Sequence, residues 1–553
     1  MRGALEERFF SVVDHSQWID KKDLVTVLCN VQGSNVSFML YNRRFEKMYL
    51  LGCDIGTQST KSVLVDENGN VICEATREYE VDTPKPNWAE QWPDVWVKAA
   101  FETMKEVVEK SNAPKEKIAG AALSGLYGGS GIPVNKNMQP LYPCLIWMDR
   151  RAVAETEWVK KNVPQKEIFS ITGNYVDSYY GFTKMMWLRN NEPEIWKKIY
   201  KFISPKDYVI YHLTEETSID YSSAGNIGGI FDLKQLTWSE HMCKILNIPI
   251  EYLPEKIVKS SDVVGHVTKS ASKLCGLLEG TPIIAGGIDA PVAQLSAGAL
   301  QEGEHVAMVG TSTCWGTVHR RDNPAFGLVN FPYVVHDTER IYTFGGSATT
   351  GALARWFKER FGEFEAVVAE RLDASPYQLF DKEAQRIPAG SDGIIVLPYF
   401  MGERSPIWDP FAKGVFFGVS LYHTGAHIYR ALMEGGAYAL RHNMEEGMKA
   451  GLSLNDVCWI VGGVSKSDLW VKIFADVTGF KMRQVASLVE APFGDAFLAG
   501  LGTGVIDKPE RIKEWVKYKS PVEPDVSLKD IYDRYYQIFR KLYENTAELM
   551  KML

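Results

Sequence analysis

The chain has 553 residues, 45% of them apolar and 24% charged, with a net charge of −8. That length exceeds one ordinary core and implies two large domains. The acidic balance argues against a nucleic acid or an anionic membrane as partner, because either would want a basic surface.

Eight dispersed cysteines, Cys29, Cys53, Cys73, Cys144, Cys243, Cys275, Cys314 and Cys458, form no C-x-x-C pair. They read as buried thiols in a reducing, cytoplasmic compartment. His423 and His427 have helical spacing but no H-E-x-x-H, so they read as structural. No apolar run reaches the roughly 18 residues that a membrane span needs. Residues 1–47 have mixed character and lack the apolar core and cleavage site of a signal peptide. They read as an extension, with Met48 a candidate true start.

From Met48 onward, strands and helices alternate. Residues 49–54 are an apolar strand ending in Asp54, followed by a polar turn and a second strand at 62–66. The hairpin turn Glu67-Asn-Gly-Asn70 leads to a third strand at 71–79. Asp94 is placed to cap a helix whose apolar residues recur through Val95, Ala99, Phe101, Met104 and Val107. Residues 117–124 form a buried strand running into the glycine-rich turn Gly125-Leu-Tyr-Gly-Gly-Ser-Gly131. Residues 150–280 read as largely helical. A strand returns at 281–285, before Gly286-Gly-Ile-Asp289. Strands at 305–309 and 314–318 then flank Gly310-Thr-Ser-Thr313. This echo of the opening strand–turn–strand unit points to a duplicated architecture. The domain junction falls near residue 298, giving an extension at 1–47 and domains at 48–298 and 299–553.

Four segments carry chemistry. In Asp54-Ile-Gly-Thr-Gln-Ser-Thr-Lys61, a carboxylate at a strand end can hold Mg²⁺, directly or through water. Gly56 permits a sharp turn. Backbone N–H groups of the turn, with Thr57, Gln58, Ser59 and Thr60, can donate to phosphate oxygens, and Lys61 adds a point charge. In Gly286-Gly-Ile-Asp289, a lone carboxylate after two glycines is placed to accept a hydroxyl proton; its alternative is a helix N-cap. Gly310 and Thr311 form a second phosphate-facing turn. Gly462 and Gly463, with Ser467, follow the strand at 457–461, where missing side chains leave room for a flat ring such as adenine. The P-loop pattern G-x-x-x-x-G-K-[ST] is absent, as is a Rossmann G-x-G-x-x-G after the first strand.

In order along the chain, these segments resemble the FGGY carbohydrate kinases, a branch of the actin-like ATPases. The resemblance includes Asn87-Trp-Ala-Glu-Gln91, Trp147-Met-Asp-Arg-Arg151, Lys184-Met-Met-Trp-Leu188 and Asp207-Tyr208. It continues in Gly402-Glu-Arg-Ser-Pro-Ile-Trp-Asp409 and Phe493-Gly-Asp-Ala496. The run from Pro398 to Pro410 looks especially like xylulokinases.

The resemblance implies an α/β fold of two actin-like (ribonuclease H-like) ATPase domains, each a mixed β-sheet with flanking helices, and a cleft between them. It implies ATP and Mg²⁺, with Asp289 as general base, Asp54 near the metal, Gly310 and Thr311 at the β/γ-phosphates, and Gly462 and Gly463 at adenine. Trp88, Tyr127 and Tyr179 fall at sugar-binding positions. A homodimer is the family expectation.

The implied activity is phosphorylation of a sugar hydroxyl, with a ketopentose such as D-xylulose first among substrates. Ribulose, a ketohexose, gluconate and a glycerol-like polyol are the alternatives. The sequence departs from the family at Leu126-Tyr127-Gly128, beside the expected sugar, and at Asp495, near the expected nucleotide site. An actin-like ATPase without a sugar, or an inactive sugar sensor, would be the rivals from other classes.

Overall fold

The computed structural model describes residues 47–486 and 490–553, together with three strands before them. Those strands, β1 (Ser16–Lys21), β2 (Leu24–Val31) and β3 (Ser34–Tyr41), pair antiparallel in sequence order. The sequence read there as an extension of mixed character. The β-branched and apolar run Leu24-Val-Thr-Val-Leu in β2 suits a pleated ladder. The remaining chain, Tyr49–Leu553, forms a compact unit of its own.

That unit is built on two six-stranded sheets. The first contains β4 (Tyr49–Ile55), β5 (Ser59–Asp66), β6 (Val71–Glu78), β7 (Ile118–Gly125), β8 (Val263–His266) and β9 (Pro282–Ile284), in the order β8-β9-β7-β4-β5-β6. β4 pairs antiparallel with β5 and parallel with β7. A strand so placed is covered on both faces, which is why β4 and β7 read as continuous apolar runs. Helix α1 (Asp94–Lys110) buries Trp96, Ala100, Met104 and Val107 over β5 and β6. Asp94 opens this helix but does not cap it; the cap position is Pro93, and the carboxylate lies in the first turn, where the helix dipole favours it. Helix α2 (Asp289–Ser296) follows β9. The stretch at 150–280 is less helical than its composition implied, since short strand pairs such as Ile219–Asp220 with Ile257–Val258 interrupt the helices.

The second sheet contains β10 (His305–Val309), β11 (Thr313–Arg320), β12 (Val329–Pro332), β13 (Arg340–Ser347), β14 (Val457–Val461) and β15 (Lys481–Gln484), in the order β12-β13-β11-β10-β14-β15. β10 pairs antiparallel with β11 and parallel with β14. The arrangement β4–turn–β5 beside β7 therefore recurs as β10–turn–β11 beside β14. Helix α3 (Gly425–Lys449) packs on β11 and β13, and α4 (Asp468–Thr478) packs on α3.

The chain then returns to the first sheet. Helix α5 (Ala491–Thr503) lies on β4 and β7 and against α2, so the C-terminal half is not confined to the second sheet. The crossing is close. A Cβ on Gly52 would stand 1.8 Å from the Pro492 carbonyl oxygen and 2.6 Å from the Ala496 nitrogen. Both obstacles are backbone, which cannot rotate aside. Gly52→Ala is therefore expected to cost about 3 kcal/mol of stability, at the upper end of overpacking penalties. Urea unfolding followed by circular dichroism measures this, and an unchanged midpoint would show that the helix does not bear on the strand.

Candidate active site

Asp54 stands near the end of β4, and its lateral neighbour on β7 is Ser124. Ser124 Oγ lies 2.9 Å from Asp54 Oδ1 and 2.6 Å from Oδ2 of Asp495, which projects from α5. One hydroxyl has one proton and can donate to only one carboxylate. The other contact needs a proton from a carboxylic acid. Asp495 is wholly buried, and burial pushes its carboxyl well above the ordinary range. The consistent assignment is that neutral Asp495 donates to Ser124, which donates to Asp54. Asp495 thus lies beneath Asp54 in the first lobe, an arrangement that the sequence did not indicate. The reason is the return of α5, a long-range packing event.

Asp289 is the first residue of α2, and its Oδ1 accepts the Ala290 N–H at 2.6 Å. Burial pushes its carboxyl up to about 6, against the pull of that bond. Asp54 is pushed up to about 8, first by burial and then by the charge of Asp289, so the two carboxylates share one electrostatic environment. The loop carrying Asp289 is held at every residue before it. Lys206 Nζ donates to Ala285 O at 2.9 Å, and Gly286 N donates to Ser260 O at 2.9 Å. Gly125 N donates to Gly287 O at 3.1 Å, and Ile288 N donates to Ser222 Oγ at 3.1 Å.

Lys206 is itself buried, paired with Asp207 at 2.6 Å and Asp220 at 2.9 Å. Burial alone would lower its pKa, but the two carboxylates outweigh it and keep the ammonium charged. Asp220 Oδ1 also accepts the Ser222 hydroxyl and the N–H groups of Ser222 and Ser223. One buried cation thereby supports both ends of the loop before Asp289.

The first turn differs from expectation in its side chains. Gly56 N–H is used within the turn, donating to Ser59 O at 2.9 Å. Thr60 is fully buried, with its hydroxyl 3.0 Å from the Tyr79 hydroxyl. Lys61 is held by Glu490 at 2.6 Å and Glu74 at 3.1 Å. Neither Thr60 nor Lys61 is thus presented to a phosphate, because β5 sends both into contacts within its own lobe. Gln58 is exposed and Ser59 partly so. Thr57 Oγ1 accepts from Trp147 Nε1 at 3.0 Å.

In the second lobe, Gly310, Thr311, Gly463 and Ser467 do come together, lining one cavity of about 620 Å³ with Tyr429 and Trp470. That size is ordinary for a small-molecule site. Gly462 backs onto the Val309 carbonyl beside it, and Ser467 Oγ caps α4 through Trp470 N at 3.2 Å.

Tyr179 is buried, and its hydroxyl accepts from Asn226 Nδ2 at 3.4 Å. After burial and this bond, the charges of Arg404 and Asp289 act on it. Lys184 Nζ donates to Gly128 O at 2.6 Å and Tyr179 O at 2.8 Å, tying the departing loop to this tyrosine. Tyr127 is buried in the core, its hydroxyl within the field of Asp207 and Asp220. Trp88 is engaged elsewhere: the Arg151 guanidinium lies 3.6 Å from its ring centroid, and Trp187 meets it edge-on at 5.4 Å.

Sequence reasoning assigned no role to Ser124, Trp147, Lys206 or Arg404. Trp147 and Arg404 were visible only as members of motifs, Ser124 as the end of a strand, and Lys206 not at all.

Among the described residues, no three His, Cys, Asp or Glu side chains gather into a protein-only metal cage. Asp54 and Asp289 offer hard oxygen donors within one electrostatic environment. That set suits Mg²⁺, which takes one or two carboxylates and completes its shell with water and phosphate.

The FGGY family of carbohydrate kinases matches twice, its N-terminal domain over residues 49–296 and its C-terminal domain over 305–502. A gluconokinase of Bacillus subtilis is 29% identical over 516 residues, covering 91% of this chain and 99% of the relative. A xylulose kinase of Lactococcus lactis is 29% identical over 513 residues, covering 91% and 98%. The structure of a ligand-bound xylulose kinase from Lactobacillus acidophilus superposes with a TM-score of 0.82 at 25% identity, covering 90% and 98%.

Replacing the buried cation tests the support of the Asp289 loop. Lys206→Met is expected to destabilise by about 3–5 kcal/mol, because Asp207 and Asp220 would be left buried without a counter-charge. The deficit should shrink as pH falls, since the folded variant then binds more protons than the unfolded chain. Thermal melts across pH check both magnitude and sign.

Proposed function

The chain belongs to the FGGY family of carbohydrate kinases, and we propose that it moves the γ-phosphoryl group of ATP onto a hydroxyl of a ketopentose such as D-xylulose. The observation that carries this reading is the meeting of Asp289 and Asp54 in one environment, with Asp289 at the start of a helix on a loop fixed at every preceding residue. The cavity beside Gly310 and Gly463 has room for a nucleotide.

The sugar hydroxyl attacks the γ-phosphorus in line. Its proton passes to the Asp289 carboxylate, the bond to the β-phosphate oxygen breaks, and ADP leaves. Asp54 would hold Mg²⁺, directly or through water, and the ion would neutralise charge on the β- and γ-phosphates. Ser124 keeps Asp54 Oδ1 occupied and so orients the carboxyl. Tyr179 and Asn226 offer hydroxyl and amide partners for a polyol. Gluconate is the second reading, supported by a gluconokinase relative as similar as the xylulose kinases. The described cysteines are free, which supports a reducing cytoplasm, and the proposal extends to a homodimer.

Asp289→Asn should keep ATP binding and lose turnover by ~10²–10⁴, the usual worth of a general base. Calorimetry with ATP and a coupled ADP assay over a panel of ketopentoses, ketohexoses, gluconate and glycerol measure the two halves; near-normal turnover in the variant would refute the role. In the free enzyme the base must be ionised. Since burial raises Asp289 to about 6, kcat/KM should fall as pH drops through about 6. A flat profile from pH 8 to about 5 would contradict a raised base.

A further inference from the structure

Arg404 lies in the loop that precedes the strand Val415–Phe417, and its position is set from both sides. Arg404 N donates to Glu403 Oε1 at 2.7 Å. The same buried carboxylate takes Ala348 N at 2.8 Å and the Ser347 hydroxyl at 2.7 Å. On the other side, Ser405 Oγ accepts Gly346 N at 2.6 Å and donates to Asn443 Oδ1 at 2.8 Å. The loop is thereby clamped to the end of β13 and to α3.

The guanidinium is directed between the lobes. Its Nη2 donates to Thr313 O at 3.2 Å and Ser347 O at 3.3 Å, where β11 leaves the second turn. Its Cζ lies 5.5 Å from the centre of the Trp147 ring, and Trp147 is tethered to Thr57 of the first turn. A Cβ on residue 346 would stand 2.7 Å from Nη2, so glycine there makes room for the group.

Among the described residues no carboxylate lies within ion-pair distance of Arg404, though its charge acts on the buried Glu403 carboxyl beside it, and its Nε is buried without a hydrogen-bond partner. Its charge and that of Asp289 both act on the Tyr179 hydroxyl and the Cys314 thiol, so cation and base address one space. An arginine held this firmly, with two carbonyl acceptors and no ion pair, has charge and donors left for an oxyanion.

We infer that Arg404 is a catalytic residue whose guanidinium contacts the phosphoryl group as it passes from nucleotide to sugar. This rests on the kinase reading above. It goes beyond that reading by naming the cation that meets the charge on the equatorial oxygens in the transition state. The same oxyanion chemistry has a second source, the carboxylate of a sugar acid. The phosphoryl group is favoured because the guanidinium sits at the end of the second Gly-Thr turn, on Thr313 O, and is linked to the first through Trp147.

The test uses the full chain with Arg404→Ala and Arg404→Lys. With a neutral ketose, Arg404→Ala should lower kcat by ~10³ or more, the scale of an arginine acting on a transferred phosphoryl group. KM for ATP and for sugar should stay within about threefold, as expected when an interaction is made only in the transition state. Added guanidinium ion should restore part of the lost turnover. Arg404→Lys should fall between, because an ammonium supplies charge without the planar fork; it carries the test if the alanine variant does not fold.

A kcat within about tenfold of wild type, or a loss that guanidinium does not relieve, overturns the inference. So does a loss confined to KM for gluconate, which would assign Arg404 to a sugar carboxylate. A wild-type chain with no sugar-dependent ADP release overturns the kinase reading itself, and this inference with it.

Discussion

A carboxylate cannot serve as a base in a water-poor cleft unless fixed charges hold its surroundings, and here one buried ammonium does much of that holding. Lys206 donates to Asp207 and the Ala285 carbonyl and is ion-paired with Asp220. Through Asp220 and Ser222 the same cluster reaches Ile288, next to Asp289. Desolvating three charges is expensive, and a hydrophobic replacement of similar volume is often no less stable. The arrangement is better understood as geometric. It fixes a loop of four residues whose two glycines would otherwise leave the chain free to wander.

The second constraint is that the two lobes meet through side chains, not through a continuous sheet. Trp147 binds Thr57 on one side and lies beneath Arg404 on the other. A bulky ring in this position excludes water and lowers the local dielectric, which strengthens whatever charge interactions form inside. The aromatic wall around Tyr179, with Tyr180, Phe344 and Trp408 within 6.4 Å, acts in the same sense.

Much of this was legible in the sequence, and for identifiable reasons. β4, β7, β10 and β14 are strands buried on both faces, so each reads as an apolar run ending at a glycine or an acid. Asp289 stood out as a lone carboxylate after Gly-Gly, with a helix N-cap as the alternative, and the structure places it first in α2. What was not legible depends on partners far away in the chain. Lys61 looked like a phosphate ligand until Glu490 was placed beside it. Asp495 gave no sign of its place beneath Asp54 until α5 was seen to lie on the first sheet. Arg404 showed in the sequence only as one residue of the Gly402–Asp409 run, since its carbonyl partners and Trp147 lie far away in the chain.

The duplicated strand–turn–strand unit explains why one lobe handles charge and the other handles space. In the first copy Asp54 stands two residues before Gly56; in the second, the corresponding residue before Gly310 is Met308. The flanking parallel strands diverge likewise. β7 brings the Ser124 hydroxyl to Asp54, whereas the matching position of β14 is Val461, which opens onto the exposed Gly462 and Gly463. A second acid at 308 would add like charge near a bound triphosphate, and a side chain at 463 would narrow the cavity. The same backbone was therefore turned to two tasks by changing which ends carry charge and which carry nothing, and Arg404 lies where those two tasks have to meet.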